Sequence, residues 1–345
     1  MPKFGLVFIN QNNNKLLFDF YFIQTKTKNV FQKLFGPKKE FAFDTLGNYK
    51  ITMEYENDKL KGELRATFAD IISFYDKYKK DQIYTNLYLD NDIFFESKID
   101  LPKLSGKVLN DSLNLEINNR FEIISKDFEY IASQSLNDDK GYSYDLLFYN
   151  IKRYKEILDI FQSLNIVIDR AYYAPSMYSS YFGKPDNIEK NIMFISFYSN
   201  YTKIVLGVKG KVVVCRTFDF GLEEINKAIA SSCEVDLSIA ASYRHDNRKK
   251  ILVKQAISRS VKKIVNEVLI SFKYSNEKNL DKIIIASEDG EGIDLLPPFQ
   301  RNFKDLCSVY GNTKKDQIYH LIDISLEKNK EIIELPLKVK SNGKE

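Results

Sequence analysis

Residues 193–230, MFISFYSNYTKIVLGVKGKVVVCRTFDFGLEEINKAIA, contain the pattern that decides the fold class. Three apolar runs, rich in β-branched and aromatic residues, are separated by two turns, one at Ser196–Thr202 and one near Gly210. Runs of this kind bounded by turn residues predict consecutive strands. A helix is predicted to begin after Gly221, at a junction where a close backbone approach or a positive φ favours glycine. The stretch therefore predicts three strands joined by hairpin turns and followed by a helix.

A second copy of this pattern is predicted in the first third of the chain. Residues 40–55 read as two strands with a turn at Leu46–Asn48, and residues 61–67 read as a third strand. The apolar spacing from Phe68 to Tyr75 indicates a helix, and the alternation in residues 83–89 indicates a further strand. Two such β-β-β-α-β units in tandem form an internal repeat.

The remaining segments predict two domains with an insertion between them. A helix at about 251–274 and an apolar strand at 282–287 complete the second unit. Residues 93–170 alternate between strands and amphipathic helices and are interpreted as a small inserted α+β subdomain. The predicted domains are 1–35, an N-terminal hairpin and short helix; 36–92, the first part of domain I; 93–170, the insertion; 171–187, the return to domain I; 188–300, domain II; and 301–345, a C-terminal segment.

The composition is that of a globular protein with nearly balanced charge. The 345 residues include 51 Lys and Arg against 47 Asp and Glu, a balance that gives no support for nucleic-acid binding. Three dispersed cysteines and two histidines argue against a metal site or a disulfide framework. No apolar run approaches the roughly 18 residues needed to cross a bilayer. The sequence therefore predicts a cytoplasmic protein without direct membrane insertion.

Several motifs, in the same order along the chain, resemble a known family. Segment 216-RTFDFGLEEINKAIA-230 is similar to a pattern of Arg-Thr, a hydrophobic pair, Gly and a helix ending in Ala-Ile-Ala. Segment 100–118 is similar to a strand with a Leu-Pro pair followed by a helix, and segment 162–178 is similar to the stretch that returns from the family's inserted subdomain to the core. On these motifs the chain resembles the PilM family of type IV pilus machines, a relative of FtsA and of the cytoplasmic domain of GspL. The resemblance covers roughly residues 29–300 and implies an α/β, actin-like (ribonuclease-H-like) two-domain fold with a small inserted α+β subdomain.

The resemblance implies a nucleotide cleft whose first phosphate-binding turn is only partly preserved. In this superfamily two hairpin turns hold phosphates through backbone N–H groups, with a glycine for close approach and an aspartate for Mg²⁺. The resemblance places the first turn at 43-FDTLGNYK-50. Asp44 matches the family's aspartate, Gly47 is displaced by one position, and Lys50 lies one residue early. Asp44, Gly47, Lys50 and Thr202 are the expected remnants of the cleft.

The second turn departs further from the family pattern. Ser196 stands at the position of the family's aspartate, Tyr198 stands at its glycine, and only Thr202 matches a hydroxyl position. A serine lacks the carboxylate charge that organises Mg²⁺ and its waters. A tyrosine side chain takes up space where a phosphate would lie.

Two further elements of the cleft are altered in the second half of the chain. By the resemblance, Ala241 and Arg244 replace a Glu and a Lys that border the nucleoside, and Ser287–Glu288, followed by Asp289, replaces a Gly-Gly turn. Additional carboxylates near a polyanion are unfavourable unless a cation intervenes. The sequence therefore predicts a protein that is not an enzyme and has no cofactor, neither ATP nor Mg²⁺.

The resemblance also implies a function and a partner. PilM-like proteins bind the cytoplasmic tail of a single-span, PilN-like inner-membrane protein in a groove beside the inserted subdomain, here about residues 95–175. The chain is therefore expected to be a non-catalytic scaffold of a type IV pilus or type II secretion-like machine, in contact with other pilus or secretion components. Its expected location is the cytoplasm, peripherally associated with the inner membrane through that partner.

Two alternatives stay open at this point. An FtsA-like division protein ends in an amphipathic membrane helix, whereas Pro336 and a polar tail in 331-EIIELPLKVKSNGKE-345 do not favour such a helix. An actin-fold ATPase or kinase with weak nucleotide binding needs an intact Mg²⁺ aspartate and a catalytic carboxylate. The second turn lacks the former.

Overall fold

The chain forms two compact units in the computed structural model. The first contains the described residues up to Tyr172 together with those from Glu334 onward, and the second runs from Tyr173 to Ile333. The structure describes residues 3–12, 15–25, 43–56, 59–60, 63–90, 93–104, 106–121, 127–137, 141–245, 250–274, 279–290, 292–311 and 332–338. The predicted short helix at 29–36 lies outside the described residues.

The first unit is built on a seven-stranded sheet with the order β15-β9-β5-β1-β2-β3-β4. Strands β1, β2 and β3 form an antiparallel meander, and β1 pairs with β5 in parallel. Two short helices precede β5 along the chain. The elements are β1 (Lys3–Asn12), β2 (Lys15–Thr25), β3 (Phe43–Glu56), β4 (Lys59–Leu60), α1 (Leu64–Thr67), α2 (Ala69–Lys77), β5 (Ile83–Asp90), β9 (Arg170–Tyr173) and β15 (Glu334–Leu335).

A smaller three-stranded sheet in the first unit corresponds to the predicted insertion. Its order is β6-β8-β7 and both pairings are antiparallel. Helix α3 covers one face and buries Leu113 and Ile117 against Ile99, Leu146 and Phe148 of the strands. The elements are β6 (Phe94–Pro102), α3 (Gly106–Phe121), β7 (Phe128–Asn137) and β8 (Gly141–Asn150).

Helix α4 (Ile151–Ser163) packs on the large sheet, whereas the sequence predicts that it belongs to the insertion. The ring of Phe161 is fully buried, and its centroid lies 6.3 Å from that of Phe18 and 6.2 Å from that of Phe20 on β2. The inserted subdomain therefore ends at Asn150 and not at residue 170. The apolar periodicity of a helix shows that it packs on something, but it does not show which of two apolar sheets it covers.

The second unit contains a five-stranded sheet with the order β12-β11-β10-β13-β14. Strands β10, β11 and β12 form an antiparallel meander, and β10 pairs in parallel with β13. The elements are β10 (Ile192–Phe197), β11 (Thr202–Val208), β12 (Lys211–Phe218), β13 (Lys282–Ser287), β14 (Cys307–Val309), α5 (Tyr178–Phe182), α6 (Leu222–Cys233), α7 (Leu237–Ala240), α8 (Lys250–Ser260), α9 (Lys262–Tyr274) and α10 (Gly292–Phe303). The predicted helix at 251–274 is thus divided at Val261 into α8 and α9.

Both sheets repeat one strand order, but the first copy begins earlier than the sequence predicted. In each unit the first strand lies between the second strand and a later strand that runs parallel to it, so that the order β5-β1-β2-β3 corresponds to β13-β10-β11-β12. The predicted turn at Leu46–Asn48 is wrong, because β3 is one continuous strand. The pairing with β2 shifts at this point: Phe22 lies opposite Gly47 and Ile23 lies opposite Thr45. Leu46 is therefore the extra residue of a β-bulge, and a glycine beside a bulge is easily mistaken for a turn.

Two predicted boundaries near the ends of the second unit also differ from the structure. The segment 173–187, predicted to return to domain I, belongs to the second unit. There the ring of Tyr178 lies 5.5 Å from Phe194 and the ring of Phe182 packs on Gly207. The predicted C-terminal segment contributes β14 to the five-stranded sheet and β15 to the seven-stranded sheet. Among the described residues, no helix is long and apolar enough to cross a membrane.

Replacing Phe161 with Ala tests the packing of α4 on the large sheet. Because the ring is fully buried against Phe18 and Phe20, the free energy of unfolding should fall by about 3–5 kcal/mol. Denaturant unfolding followed by circular dichroism measures this change. Leu115→Ala, at a position that is 62% exposed on α3, is the matched control and should change stability by about 0.5 kcal/mol or less. Equal, small effects of both variants would contradict the assignment of α4.

Candidate functional site

The four residues predicted as remnants of a nucleotide cleft lie on two different units. Asp44 and Lys50 are exposed on β3, and Gly47 lies at its bulge. Thr202 is fully buried at the start of β11 in the second unit. In the first unit, the connection between the first two strands consists of Asn13 and Asn14, outside the described residues. The segment 43–50 is therefore not the hairpin turn that the sequence analysis assigned to it, and nucleotide contact by its residues stays a prediction.

The corresponding connection of the second unit is the Tyr198–Tyr201 turn between β10 and β11. The turn closes with a hydrogen bond in which the Tyr198 N–H donates to the Tyr201 carbonyl at 2.9 Å. The two rings stack with their centroids 4.4 Å apart, and both residues are at least 97% buried. The turn is thus filled by its own aromatic side chains, and Tyr198 packs on Tyr201.

Ser199, in the same turn, binds a carboxylate from the next strand of the sheet. Its backbone N–H and its hydroxyl both donate to Oε2 of Glu288, at 3.0 and 3.1 Å. The Glu288 N–H in turn donates to the Phe197 carbonyl at 2.9 Å. Glu288 directly follows β13, whose last residue Ser287 lies opposite Phe197 in the parallel pairing with β10. The register of the sheet therefore carries this carboxylate to the turn.

The first turn of α6 is tied to the same backbone. The Leu222 N–H donates to the Tyr198 carbonyl at 2.8 Å, and the Glu223 N–H donates to the Ser199 carbonyl at 2.9 Å. The Gly221 N–H donates to the side chain of Glu224 at 2.9 Å. These N–H groups at a helix N-terminus are the donors that elsewhere bind anions. Here they bind carbonyl and carboxylate oxygens of the same chain.

Arg244, predicted to replace a nucleoside-bordering lysine, is buried and forms an ion pair with the partly exposed Asp289. Its side chain is only 1% exposed, and Nη1 lies 2.5 Å from Oδ2 of Asp289. Nη2 donates to the side-chain oxygen of Asn226 at 3.0 Å, and the Ser287 hydroxyl donates to Oδ1 of Asp289 at 2.5 Å. Removing one partner of such a pair leaves a buried charge uncompensated. The Arg244 guanidinium therefore helps to hold the connection between β13 and α10 in place through Asp289.

Close packing at Gly221 joins the turn to the helix. A Cβ atom at this position would lie 2.3 Å from the Ser199 carbonyl oxygen and 2.6 Å from that of Tyr198. The backbone itself is extended, with φ −135° and ψ −161°, so glycine is required by contact and not by a positive φ. Thr202 supports the same junction, because its hydroxyl donates to the Phe220 carbonyl at 2.6 Å. Gly221 and Thr202 are recognisable as candidates in the sequence, whereas no local pattern marks Ser199.

The arrangement provides oxyanion-binding donors whose acceptors come from the chain itself. Within the described part of the chain, no group of three or more His, Cys, Asp or Glu side chains is placed to hold a metal ion. Ser196, which stands at the family's aspartate position, is buried at the end of β10. The site is thus a closed network that links the turn, the start of α6 and the β13–α10 connection.

Comparisons with known proteins identify the fold. No family model matches the chain, and no curated protein matches it. A chain from the solved PilM-PilN type IV pilus biogenesis complex matches with a TM-score of 0.61 and 10% sequence identity, covering 93% of this chain and 97% of that one. The chain has the PilM-like actin fold. At 10% identity this likeness shows the fold alone.

Other solved structures match this chain less well. MreB 5 of Spiroplasma citri bound to AMPPNP has a TM-score of 0.48 at 8% identity, covering 94% of this chain and 95% of that one. The cytoplasmic domain of EpsL, from the type II secretion system of Vibrio cholerae, has a TM-score of 0.45 at 8% identity, covering 95% and 97%.

Replacing Gly221 with Val tests the contact between α6 and the turn. Because the new side chain meets backbone atoms that cannot move independently, the free energy of unfolding should fall by about 1–3 kcal/mol. Thermal and denaturant unfolding measure the loss. An unchanged melting temperature would show that the junction tolerates a side chain.

Proposed function

We propose that the protein is a PilM-like, non-catalytic scaffold of a type IV pilus or type II secretion-like machine. In this proposal it binds the cytoplasmic tail of a single-span, PilN-like inner-membrane protein and is held at the membrane by that partner. The observation that carries the proposal is the likeness over 93% of the chain to a structure solved as a PilM-PilN complex. A fold hosts many functions, so the site must support the proposal independently.

The Tyr198–Tyr201 turn supports the non-catalytic part of the proposal. A phosphate bound there would need the N–H and hydroxyl of Ser199, which donate to Glu288. It would also meet the negative charge of that carboxylate, which is unfavourable without a cation between them. Ser196 lacks the carboxylate that would place Mg²⁺. Each of these features works against nucleotide binding.

The purified protein should therefore show no micromolar binding of a non-hydrolysable ATP analogue in the presence of Mg²⁺. Isothermal titration calorimetry measures this, and an ATPase assay should give a rate indistinguishable from buffer. A micromolar isotherm would overturn the non-catalytic proposal and favour a divergent ATPase or kinase.

The uncovered part of the second face of the inserted subdomain is our candidate for the docking surface. Asp145 lies on this face, opposite to α3, with Lys98 of β6 and Ser133 of β7 directly across from it. All three are exposed. Further along β8 the same face becomes apolar and buried at Leu147 and Tyr149. The surface thus has a charged, open end and a closed, apolar end.

The closed end of this face is where the subdomain meets α4. The rings of Tyr149 and Tyr154 lie 5.4 Å apart in an edge-to-face contact, and Tyr154 is fully buried on α4. The Tyr149 hydroxyl donates to Glu129 of β7 at 2.5 Å. Burial is the main cause that raises the pKa of the Tyr149 hydroxyl above its ordinary value, and the hydrogen bond to Glu129 raises it further. The hydroxyl therefore stays protonated and acts as a donor. An extended tail bound here would have a rigid wall at one end, and the side chains of the exposed face would supply its contacts with the tail.

A charge reversal on this face tests the docking proposal. The probe is a synthetic peptide of the cytoplasmic tail of a single-span membrane protein encoded beside this gene, titrated by fluorescence anisotropy. Asp145→Lys should weaken binding by about 10-fold, or about 1.4 kcal/mol, because it places a second cation beside Lys98 on the proposed surface.

The control for this experiment is Asp111→Lys, which makes the same charge change at an exposed position of α3. It should bind the peptide as the unchanged protein does. If the unchanged protein does not bind the peptide, the proposed function fails. If both variants bind equally well, the partner docks elsewhere on the protein.

A further inference from the structure

We propose that Glu288 is a tethered substitute for a bound oxyanion, and that the Tyr198–Tyr201 turn is a latent oxyanion site that the chain occupies with its own carboxylate. The ligand class of the latent site is a small oxyanion such as inorganic phosphate or acetate. The inference rests on the proposed non-catalytic function, because a protein that bound nucleotide at this turn would have to displace Glu288.

The contact between Ser199 and Glu288 has the geometry of anion recognition. One backbone N–H and one hydroxyl of the same residue converge on a single carboxylate oxygen, at 3.0 and 3.1 Å. Hydrogen bonds to an ionised acceptor are stronger than those between neutral groups, and turn N–H groups are common anion-binding donors. Any small oxyanion offers an oxygen of the same kind to these donors.

Backbone hydrogen bonding and strand pairing fix the position of the Glu288 carboxylate at the turn. The Glu288 N–H donates to the Phe197 carbonyl, which immediately precedes the turn. The parallel pairing of Phe197 with Ser287 sets this position. An anion tethered in this way has a high effective concentration at the donors, so free anions in solution compete poorly with it.

The neighbouring carboxylate has a separate role. Asp289 pairs with the buried Arg244 and accepts a hydrogen bond from Ser287. The two adjacent acidic residues are therefore directed to different partners, Glu288 to the turn and Asp289 to the guanidinium. Removing the Glu288 side chain should open the turn without removing the ion pair of Arg244.

Chemical rescue tests the proposal. In Glu288→Ala, sodium phosphate at tens of millimolar should raise the melting temperature in a concentration-dependent way, relative to sodium chloride at matched ionic strength. A ligand that binds only the folded state stabilises it by mass action. We expect a rise of at least about 2 °C, a shift that corresponds to about 1.4 kcal/mol for a chain of this size, at about 2.1 cal/mol/K of unfolding entropy per residue. The unchanged protein should show only the smaller, non-specific rise that phosphate gives folded proteins by its exclusion from their surface.

Two further variants distinguish phosphate binding at the turn from a general effect of salt on stability. Glu288→Gln keeps an acceptor oxygen at the turn, so phosphate should not rescue it. The double variant Ser199→Ala, Glu288→Ala lacks the hydroxyl donor, so its rescue should be at least halved. Equal rescue of the double variant, or no phosphate-specific rise in Glu288→Ala, would overturn the proposal.

The phosphate-rescue result can be interpreted independently of a folding defect and of partner binding. If Glu288→Ala fails to fold in chloride, the proposal requires it to refold in phosphate, and failure in both salts counts against the proposal. The peptide titration of the docking surface uses residues of the first unit alone. A negative peptide result with positive rescue would therefore reject the proposed partner while leaving the latent oxyanion site in place.

Discussion

The parallel pairing of β10 with β13 is the constraint on which the site depends. Because Phe197 lies opposite Ser287, the two strands end side by side, and the residues that follow them must share one small space. Glu288 reaches Ser199 for this reason, and Asp289 reaches Arg244 from the same connection. The start of α6 then closes over the turn through the carbonyls of Tyr198 and Ser199. A shift of one residue in this register would move both carboxylates.

The second unit was predictable from sequence, and the first was predictable only in part. In residues 193–220 the apolar runs are separated by short turns, so local patterning was sufficient to predict β10, β11 and β12. In the first unit, Gly47 lies beside a β-bulge, but its sequence context indicates a turn. In addition, 17 residues, 26–42, separate β2 from β3 in the chain. Pairing across such a separation is a tertiary property that strand patterns do not encode. The sequence therefore predicts a separate N-terminal hairpin, although β1 and β2 are the first two strands of the seven-stranded sheet.

The candidate site shows the same limit. The resemblance to a nucleotide-binding pattern drew attention to Ser196, Tyr198 and Glu288, each as a departure from that pattern. It did not show that Glu288 binds Ser199, since the two residues are 89 positions apart and meet only through the sheet. Helix α4 gives a parallel case, because its apolar face was visible in the sequence while the sheet that it covers was not. Local chemistry is readable from the sequence, and the identity of distant partners is not.

The junction between β8 and α4 has a mechanical consequence. Strand β8 ends at Asn150 and the helix begins at Ile151, with the Asn150 side chain accepting a hydrogen bond from the Arg153 N–H at 3.0 Å. No loop lies between the strand and the helix, and Phe161 fixes the other end of the helix on the large sheet. A force that tilts the three-stranded sheet is therefore transmitted along a continuous, capped backbone into α4. A force applied to the inserted subdomain therefore acts on helix α4 as a torque.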